Sequence, residues 1–163
     1  MDEFLLSPEQ LTESMQRTWK TEYPNKNLPK GLVVENLWLL PSSIHLSGAE
    51  IELSHRLGRE TRLREALSSI EHEFDYIIID TPPSLGLLTI NAMAVSRWVL
   101  IPVQAEFYAL EGMSLLMNSV KLVQRRINPH LKLMGIVMTM VMPKSKLSNT
   151  VCNEVKEHFP KHV

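Results

Sequence analysis

Residues 74–86 read FDYIIIDTPPSLG, an apolar run that ends in one carboxylate and a rigid turn. A continuous run of β-branched residues suits a strand that is covered on both faces, as in a parallel sheet. We therefore predict a strand over residues 75–80, which places Asp80 at its carboxyl end, where open α/β sheets bind ligands. Pro82 and Pro83 fix φ and lack an N–H, so neither a helix nor a strand ladder continues through the turn.

Asp80 has two interpretations from its position alone. A carboxylate at the end of a buried strand is how nucleotide-hydrolysing folds present an acid to a hydrated Mg²⁺. The same pattern fits an ordinary buried strand whose terminal Asp caps the helix that follows. The spacing leaves both interpretations open.

Strand-like and helix-like patterns alternate along the chain. Strands separated by helix-length segments form βαβ units, so we predict an α/β fold with a parallel sheet flanked by helices. The segment 86–96 is apolar nearly all round, which predicts a buried helix. The predicted helices cover residues 8–20, 48–57, 60–70, 86–96, 110–127 and 148–158, the predicted strands cover 37–40, 75–80, 98–103 and 131–140, and a polar loop covers 21–31.

Two stretches, FDYIIIDTPPSLGLLTINA (74–92) and VLIPVQAEFYALEG (99–112), closely resemble the ParA/Soj partition ATPases, which are P-loop proteins with a deviant Walker motif. The likeness is colinear from LWLLPSSIHLSGAEIELSHRLGRETRLREAL (37–67) to LSNTVCNEVKEHF (147–159). Because an extended, colinear match is far more specific than one short motif, the resemblance implies the family's incomplete P-loop-NTPase-like parallel sheet flanked by helices.

The resemblance implies one partial nucleotide-binding domain of the AAA/CbiA type over residues 1–163, in which residues 1–31 form a helix and a loop ahead of the matched region. A P-loop needs Gly-rich backbone close to the phosphates and a Lys that reaches them. The family's form reads roughly KGGxGK[ST], whereas no two of the six glycines here lie within four residues of each other. Relative to the family the sequence is a truncated middle segment, so we expect an exposed sheet edge, low stability or self-association.

The family has the acid at the Asp80 position in its Walker B element, where it holds Mg²⁺ through water beside ATP. The resemblance therefore makes Asp80 the candidate catalytic, metal-binding and cofactor-binding residue, with Thr81 beside it supporting the water shell of the metal. A simple helix-capping role stays open for Thr81. A Walker B acid positions the metal but cannot replace the phosphate loop, so we expect this chain alone to bind no ATP and to hydrolyse none.

Gln104 and Glu106 follow the predicted strand 98–103 and by position face the ligand crevice of the sheet. In the family this region and the helix that starts near Glu111 lie close to the partner subunit of a nucleotide-sandwich dimer. The resemblance thus implies a homodimer, or a complex with a full-length relative. A solvated loop is the alternative for both side chains.

Lys144 and Lys146 are the candidate DNA-binding residues. The family often has TMxDxRTNL here, and its Arg contributes to nonspecific DNA binding. This chain reads TMVMPKSKL over 139–147, so Lys144 matches the Arg and Met142 replaces the Asp. Lys keeps the charge but lacks the bidentate fork of Arg, and solvated helix faces are the alternative interpretation of these cations. Further candidates for phosphate contacts are Lys121, Arg125, Arg126, Lys132 and Lys156.

Two further positions stand out. Arg97 and Trp98 depart from the acidic pair that is usual in the family just before this strand. We predict an edge or packing position for Trp98, with a contact surface as the alternative. Cys152 is the single cysteine, which excludes an internal disulfide, and we interpret it as a packing residue of a helix.

Composition narrows the classes of function. The net charge of −1 gives no global attraction to nucleic acid or anionic membrane, so any such binding comes from a local patch. The six histidines show no metal-ligand spacing, and no apolar run approaches the roughly 20 residues that span a bilayer. We expect a cytoplasmic or nucleoid-associated protein without a membrane partner.

These observations predict a protein of chromosome or plasmid partition, with nonspecific DNA and a ParB-like protein as partners. The alternative is a non-enzymatic module that keeps a DNA-binding or partner-binding surface and modulates a full-length relative. A structural remnant without activity is the third interpretation.

Overall fold

The computed structural model describes residues 38, 40, 42 and 46–163, except residues 107 and 108. The predicted helix 8–20 and loop 21–31 lie outside the described residues, as do residues 37 and 39 of the predicted strand 37–40. The chain divides into two compact units, Met1–Ile78 and Ile79–Val163.

The described part of the first unit is helical. Both of its helices are shorter than predicted. Helix α1 (Leu46–Leu53) is followed by a turn that is stabilised by a hydrogen bond from the Ser54 N–H to the Ile51 carbonyl (3.2 Å). Gly58 has φ 68°, a left-handed conformation that favours glycine. The elements are α1 (Leu46–Leu53), a 3₁₀ turn (Arg59–Thr61), α2 (Arg62–Leu67) and a second 3₁₀ turn (Glu71–Glu73).

Two arginines organise the turn after α1. Arg59 donates a hydrogen bond to the carbonyl of Ser54, and Arg62 Nη2 donates one to the carbonyl of Leu57 at 3.2 Å. The first bond satisfies the carbonyl of the residue that directly follows α1, and the second satisfies a carbonyl of the turn itself. Arg59 also donates to the carboxylate of Glu60 at 2.9 Å, and this hydrogen bond lowers the pKa of Glu60.

The second unit is a βαβ arrangement with a helix before it and a helix after it. Its two strands pair in parallel, with Ile101 opposite Ile136, and one irregularity next to Leu100 gives the second strand an extra residue. The structure contains all five predicted elements of this unit, and their ends differ from the predicted ends by at most two residues. They are α3 (Leu87–Val95), β1 (Trp98–Gln104), α4 (Ala109–Arg126), β2 (Lys132–Thr139) and α5 (Lys146–His158).

The core of the second unit lies on one face of the two strands. Ile101 and Val103 of β1 are buried, while Trp98 and Leu100 on the alternate positions are about half exposed. Side chains of successive strand residues point to opposite faces, so the helices of this unit cover one face of the sheet. The buried residues of the main cluster are Ile101, Val103, Met113, Ile136, Val151 and Val155, and those of the adjoining cluster are Met93, Val120, Val123 and Leu131.

The predicted strand over residues 75–80 is wrong in this structure, since these residues belong to neither helix nor sheet. A strand requires hydrogen bonds to a neighbour, and within the described part of the chain β1 and β2 pair only with each other. Tyr76 and Ile78 are 88% and 93% exposed, so the burial that the apolar run predicts is not realised. Asp80 therefore does not end a strand here, although it still precedes the proline turn.

Candidate functional site

Helix α3 holds the turn that follows Asp80 through hydrogen bonds. Thr89, in the first turn of that helix, is buried and its Oγ1 donates a hydrogen bond to the carbonyl of Ser84 at 2.6 Å. The Ile90 N–H bonds to the carbonyl of Gly86 at 3.1 Å. Sequence reasoning missed Thr89, although a lone hydroxyl residue early in the apolar helix LLTINAMAV is a visible signal.

Asp80 and Thr81 are both exposed at the start of this turn. Carboxylate and hydroxyl oxygens suit Mg²⁺, which usually keeps several waters and takes only one or two carboxylates. Among the described residues no group of three or more His, Cys, Asp or Glu side chains could hold a metal. Asp80 can offer an anionic contact to a hydrated ion at this position.

Gln104 and Glu106 lie together at a cavity of about 340 Å³ where β1 ends and α4 begins. Two hydrogen bonds fix the end of β1 against β2, from Ala105 N–H to the Thr139 carbonyl (3.2 Å) and from Thr139 Oγ1 to the Val103 carbonyl (3.3 Å). The side chains of Gln104 and Glu106 are both exposed. This cavity opens at the carboxyl end of the sheet, where α/β proteins bind ligands or partners.

The loop that carries Lys144 is fixed by two residues of α5. Ser148 is almost completely buried, and its Oγ accepts a hydrogen bond from the Met142 N–H at 3.0 Å. Asn149 Nδ2 donates to the Pro143 carbonyl at 3.0 Å. The loop is thus held rigidly while Lys144 and Lys146 remain exposed, and neither Ser148 nor Asn149 was identified from the sequence.

Ser145 provides the cap at the start of α5. Its side chain accepts a hydrogen bond from the Ser148 N–H at 3.3 Å, as is typical of an N-cap serine. The preceding Met140 has φ 52°, a left-handed conformation that is uncommon for a residue with a side chain. Local strain and a buried hydroxyl therefore combine to give this loop one conformation.

The structure does not bring the candidate cations of α4 to this loop, whereas Lys156 of α5 lines a cavity together with Val141 of the loop. Lys121, Arg125 and Arg126 lie in the second half of α4, which leads to the start of β2, whereas Lys144 and Lys146 follow its end. A strand of eight residues spans about 23 Å between its ends. The predicted basic residues therefore form two separate groups and not one continuous surface.

A parallel βαβ unit with helices packed on one face of its sheet defines an α/β protein. The profile of the AAA domain family matches residues 4–133. The sporulation initiation inhibitor protein Soj of Bacillus subtilis is 52% identical over 130 residues, which cover 80% of this chain and 51% of that protein. The chromosome partitioning protein ParA of Myxococcus xanthus is 41% identical over 158 residues, which cover 97% and 56%.

A solved structure is similar as well. Cobyrinic acid a,c-diamide synthase from Mycobacterium smegmatis, with a bound ATP analogue and magnesium, has a TM-score of 0.70 and 39% identity, over 74% of this chain and 50% of that one. The chain belongs to the ParA/Soj family of partition ATPases, which confirms the predicted family and the α/β fold. It spans about half the length of the relatives it matches. Within the described residues, no helix combines the length and the apolar character that crossing a membrane requires.

Proposed function

We propose that this chain acts in DNA segregation, as the part of a ParA/Soj-type protein that carries the Asp80 turn and a DNA-contacting loop. The observation that carries this proposal is the 52% identity to Soj over 130 residues, which cover 80% of this chain. In this role the partners are nonspecific DNA, a ParB-like protein and a second copy or a full-length relative. Such a protein works in the cytoplasm, on the nucleoid.

Asp80 and Thr81 are the residues that would hold Mg²⁺ through its waters beside ATP. When bound, the metal and nucleotide supply the switch between two states of a partition ATPase. The residues of this chain contribute the acid and the fixed turn, and the Thr89 hydrogen bond to Ser84 holds that turn in position. A metal-positioning acid without a phosphate loop does not grip a triphosphate, and the 163 residues contain no Gly-rich phosphate loop.

The ATP half of the proposal is tested with the 163-residue chain and its Asp80→Asn variant. We expect titration with a fluorescent ATP analogue and Mg²⁺ to give no micromolar binding to either protein, and no turnover above background. Micromolar binding, or turnover that is faster than in Asp80→Asn, contradicts the view that the phosphate grip lies outside these residues. Because Asp80 is exposed, the substitution leaves folding intact.

The DNA half depends on Lys144 and Lys146. Each phosphate contact contributes about 0.9 to the slope of log K against log salt concentration, so Lys144→Ala with Lys146→Ala lowers that slope by about 1.8. Fluorescence anisotropy with a labelled duplex at several salt concentrations measures it, and Lys161→Ala, which removes another exposed lysine, is the matched control. An unchanged slope would exclude both lysines as phosphate contacts.

A second candidate function is a non-enzymatic module that modulates a full-length relative. The exposed face of the sheet favours it, because Trp98, Leu100 and Met134 are large apolar side chains that are all about half exposed. Such a surface marks a contact site for a protein partner. Co-elution of the chain with a full-length relative in size-exclusion chromatography, and its loss in Leu100→Lys, distinguishes this function from DNA binding alone.

A further inference from the structure

The charge of this chain is distributed very unevenly. Residues 112–153 contain six Lys and Arg residues and no Asp or Glu, whereas the remaining residues contain eleven cations and eighteen carboxylates. The net charge of −1 is therefore the sum of a cationic segment, residues 112–153, and an acidic remainder. Two of its six cations, Lys144 and Lys146, belong to the loop after β2, and the other four have no role in the function proposed above.

These four cations lie where α4 ends and β2 begins. Lys121, Arg125 and Arg126 occupy the last turns of α4, and Lys132 is the first residue of β2. Arg97 adds a fifth cation, because its carbonyl accepts the Lys132 N–H hydrogen bond at 2.9 Å. We name these five residues the α4–β2 basic patch.

The patch is exposed and carries uncompensated charge. All five side chains belong to exposed residues, and within the described part of the chain none of them forms an ion pair. Like charges four residues apart on a helix, such as Lys121 and Arg125, repel each other, and the helix dipole at the end of α4 offsets only part of this repulsion. The arrangement therefore favours an external anion.

A buried amide holds the base of the patch rigid. Asn128 Nδ2 donates to the Met93 carbonyl at 2.9 Å and to the Ser96 carbonyl at 2.7 Å, which ties the loop after α4 to the end of α3. Gln124 Nε2 donates to the Leu131 carbonyl at 2.8 Å across the same loop. The cations are thus carried on a surface that needs little ordering when it binds a ligand, which favours affinity.

Trp98 gives the patch an aromatic member. Lys132 Nζ lies 5.7 Å from the centre of its ring, within the range of a cation–π contact. The ring is 51% exposed. An anion that binds Lys132 will compete for this ammonium group, so the emission of Trp98 reports on binding at the patch.

We propose that the α4–β2 basic patch is a second DNA-contacting surface, which binds duplex phosphates at the opposite end of β2 from Lys144 and Lys146. The inference rests on the proposed function for the identity of the polyanion. Duplex DNA is favoured over an anionic lipid surface because the five cations outnumber the large exposed apolar side chains at neighbouring positions, which are Trp98, Leu100, Leu122 and Met134. A lipid-binding surface needs a larger apolar share.

The test compares the 163-residue chain with two double variants, Arg125→Ala/Arg126→Ala and Lys144→Ala/Lys146→Ala, and with the combination of both. Anisotropy of a labelled 20-base-pair duplex is followed from about 50 to 200 mM salt. We expect each double variant to lower the salt slope by about 1.8 and the combination to lower it by about 3.6. Lys161→Ala is the control for removal of an exposed charge, and circular dichroism checks that the helix content is unchanged.

A Trp19→Phe/Trp38→Phe background leaves Trp98 as the only tryptophan. We expect its emission to change on addition of DNA, and the change to disappear in Arg125→Ala/Arg126→Ala. If the chain binds DNA and these arginines leave the slope and the emission unchanged, the inference fails while the proposed DNA role stands. If the unaltered chain binds no DNA, the DNA role itself fails. A further outcome also overturns the inference: the chain sediments with phosphatidylserine vesicles, loses this binding in Arg125→Ala/Arg126→Ala, and binds no DNA.

Discussion

The hydroxyl of Thr89 donates a hydrogen bond to the carbonyl of Ser84 at 2.6 Å, across five residues of chain. This contact joins the exposed turn after Asp80 to the buried side of α3. The turn itself contains two prolines, which remove backbone donors, so a side chain has to supply the bond. The position of the candidate metal-binding acid therefore depends on a buried residue of the following helix.

Thr89→Val removes this bond and retains the shape of the side chain. We expect a loss of about 1–2 kcal/mol in the free energy of unfolding, because the Ser84 carbonyl loses its donor in a partly buried site. Urea denaturation followed by circular dichroism measures it. Thr89→Ser keeps the oxygen and should cost less than Thr89→Val, and equal stability of the valine variant and the unaltered chain would contradict the role of the bond.

Asn128→Ala removes two hydrogen bonds that connect segments more than thirty residues apart, to the carbonyls of Met93 and Ser96. A carbonyl left without a donor in a buried site costs about 1–3 kcal/mol. Because the bond to Ser96 is only partly buried, we expect a total loss of about 2–4 kcal/mol. Asn118→Ala, at an exposed position of α4, serves as the control in the same denaturation experiment. A loss no greater than that of the control would show that water replaces the amide without cost.

Ser148→Ala tests whether the loop of Lys144 depends on its buried hydroxyl. The Met142 N–H loses its acceptor, so we expect faster amide exchange at Met142 and a stability loss of about 1–2 kcal/mol. DNA affinity should fall although both lysines remain, because a mobile loop has to be ordered on binding. Ser119→Ala, which changes a half-buried serine of α4, is the comparison, and unchanged exchange at Met142 would contradict the prediction.

Local signals in the sequence predict the elements of the second unit well. The predicted helix 110–127 rests on six apolar residues at helical spacing and on the stop at Asn128-Pro129, and α4 spans Ala109–Arg126. The six residues are Leu110, Met113, Leu116, Met117, Val120 and Val123. The predicted strand over residues 75–80 is wrong for a physical reason. A strand depends on pairing with a neighbouring strand, and the sequence pattern of one segment does not show whether that neighbour is present. The run YIII has the composition of a buried strand, but composition does not supply hydrogen-bonding partners.

The residues of the candidate site also divide into those that the sequence predicts and those that it does not. Asp80 and Lys144 were found because they match motif positions of a resembling family. Thr89, Asn128 and Ser148 were not found, because each acts through a contact with another segment and a Ser, Thr or Asn carries no motif by itself. The sequence also does not predict that the cations separate into two groups, because this separation depends on the direction in which α4 returns along the sheet.

The free edge of β1 gives the last prediction. The Arg97 carbonyl accepts from Lys132 and the Ala105 N–H donates to Thr139, so the odd-numbered residues of β1 bond to β2. The even-numbered residues face the other edge, where the described part of the chain provides no strand. Pro102 is one of them, and its missing N–H interrupts the row of donors that a second strand would use.

Pro102→Val restores a donor and adds a β-branched residue to this edge. Exposed edges with complete hydrogen-bonding groups pair with other chains, so we expect Pro102→Val to self-associate at lower protein concentration than the unaltered chain. Sedimentation velocity over a concentration series measures it. Combining it with Leu100→Lys, which adds a charge beside the same edge, should restore the original behaviour. Equal association of Pro102→Val and the unaltered chain would mean that another surface, such as the exposed face around Trp98 and Met134, drives it.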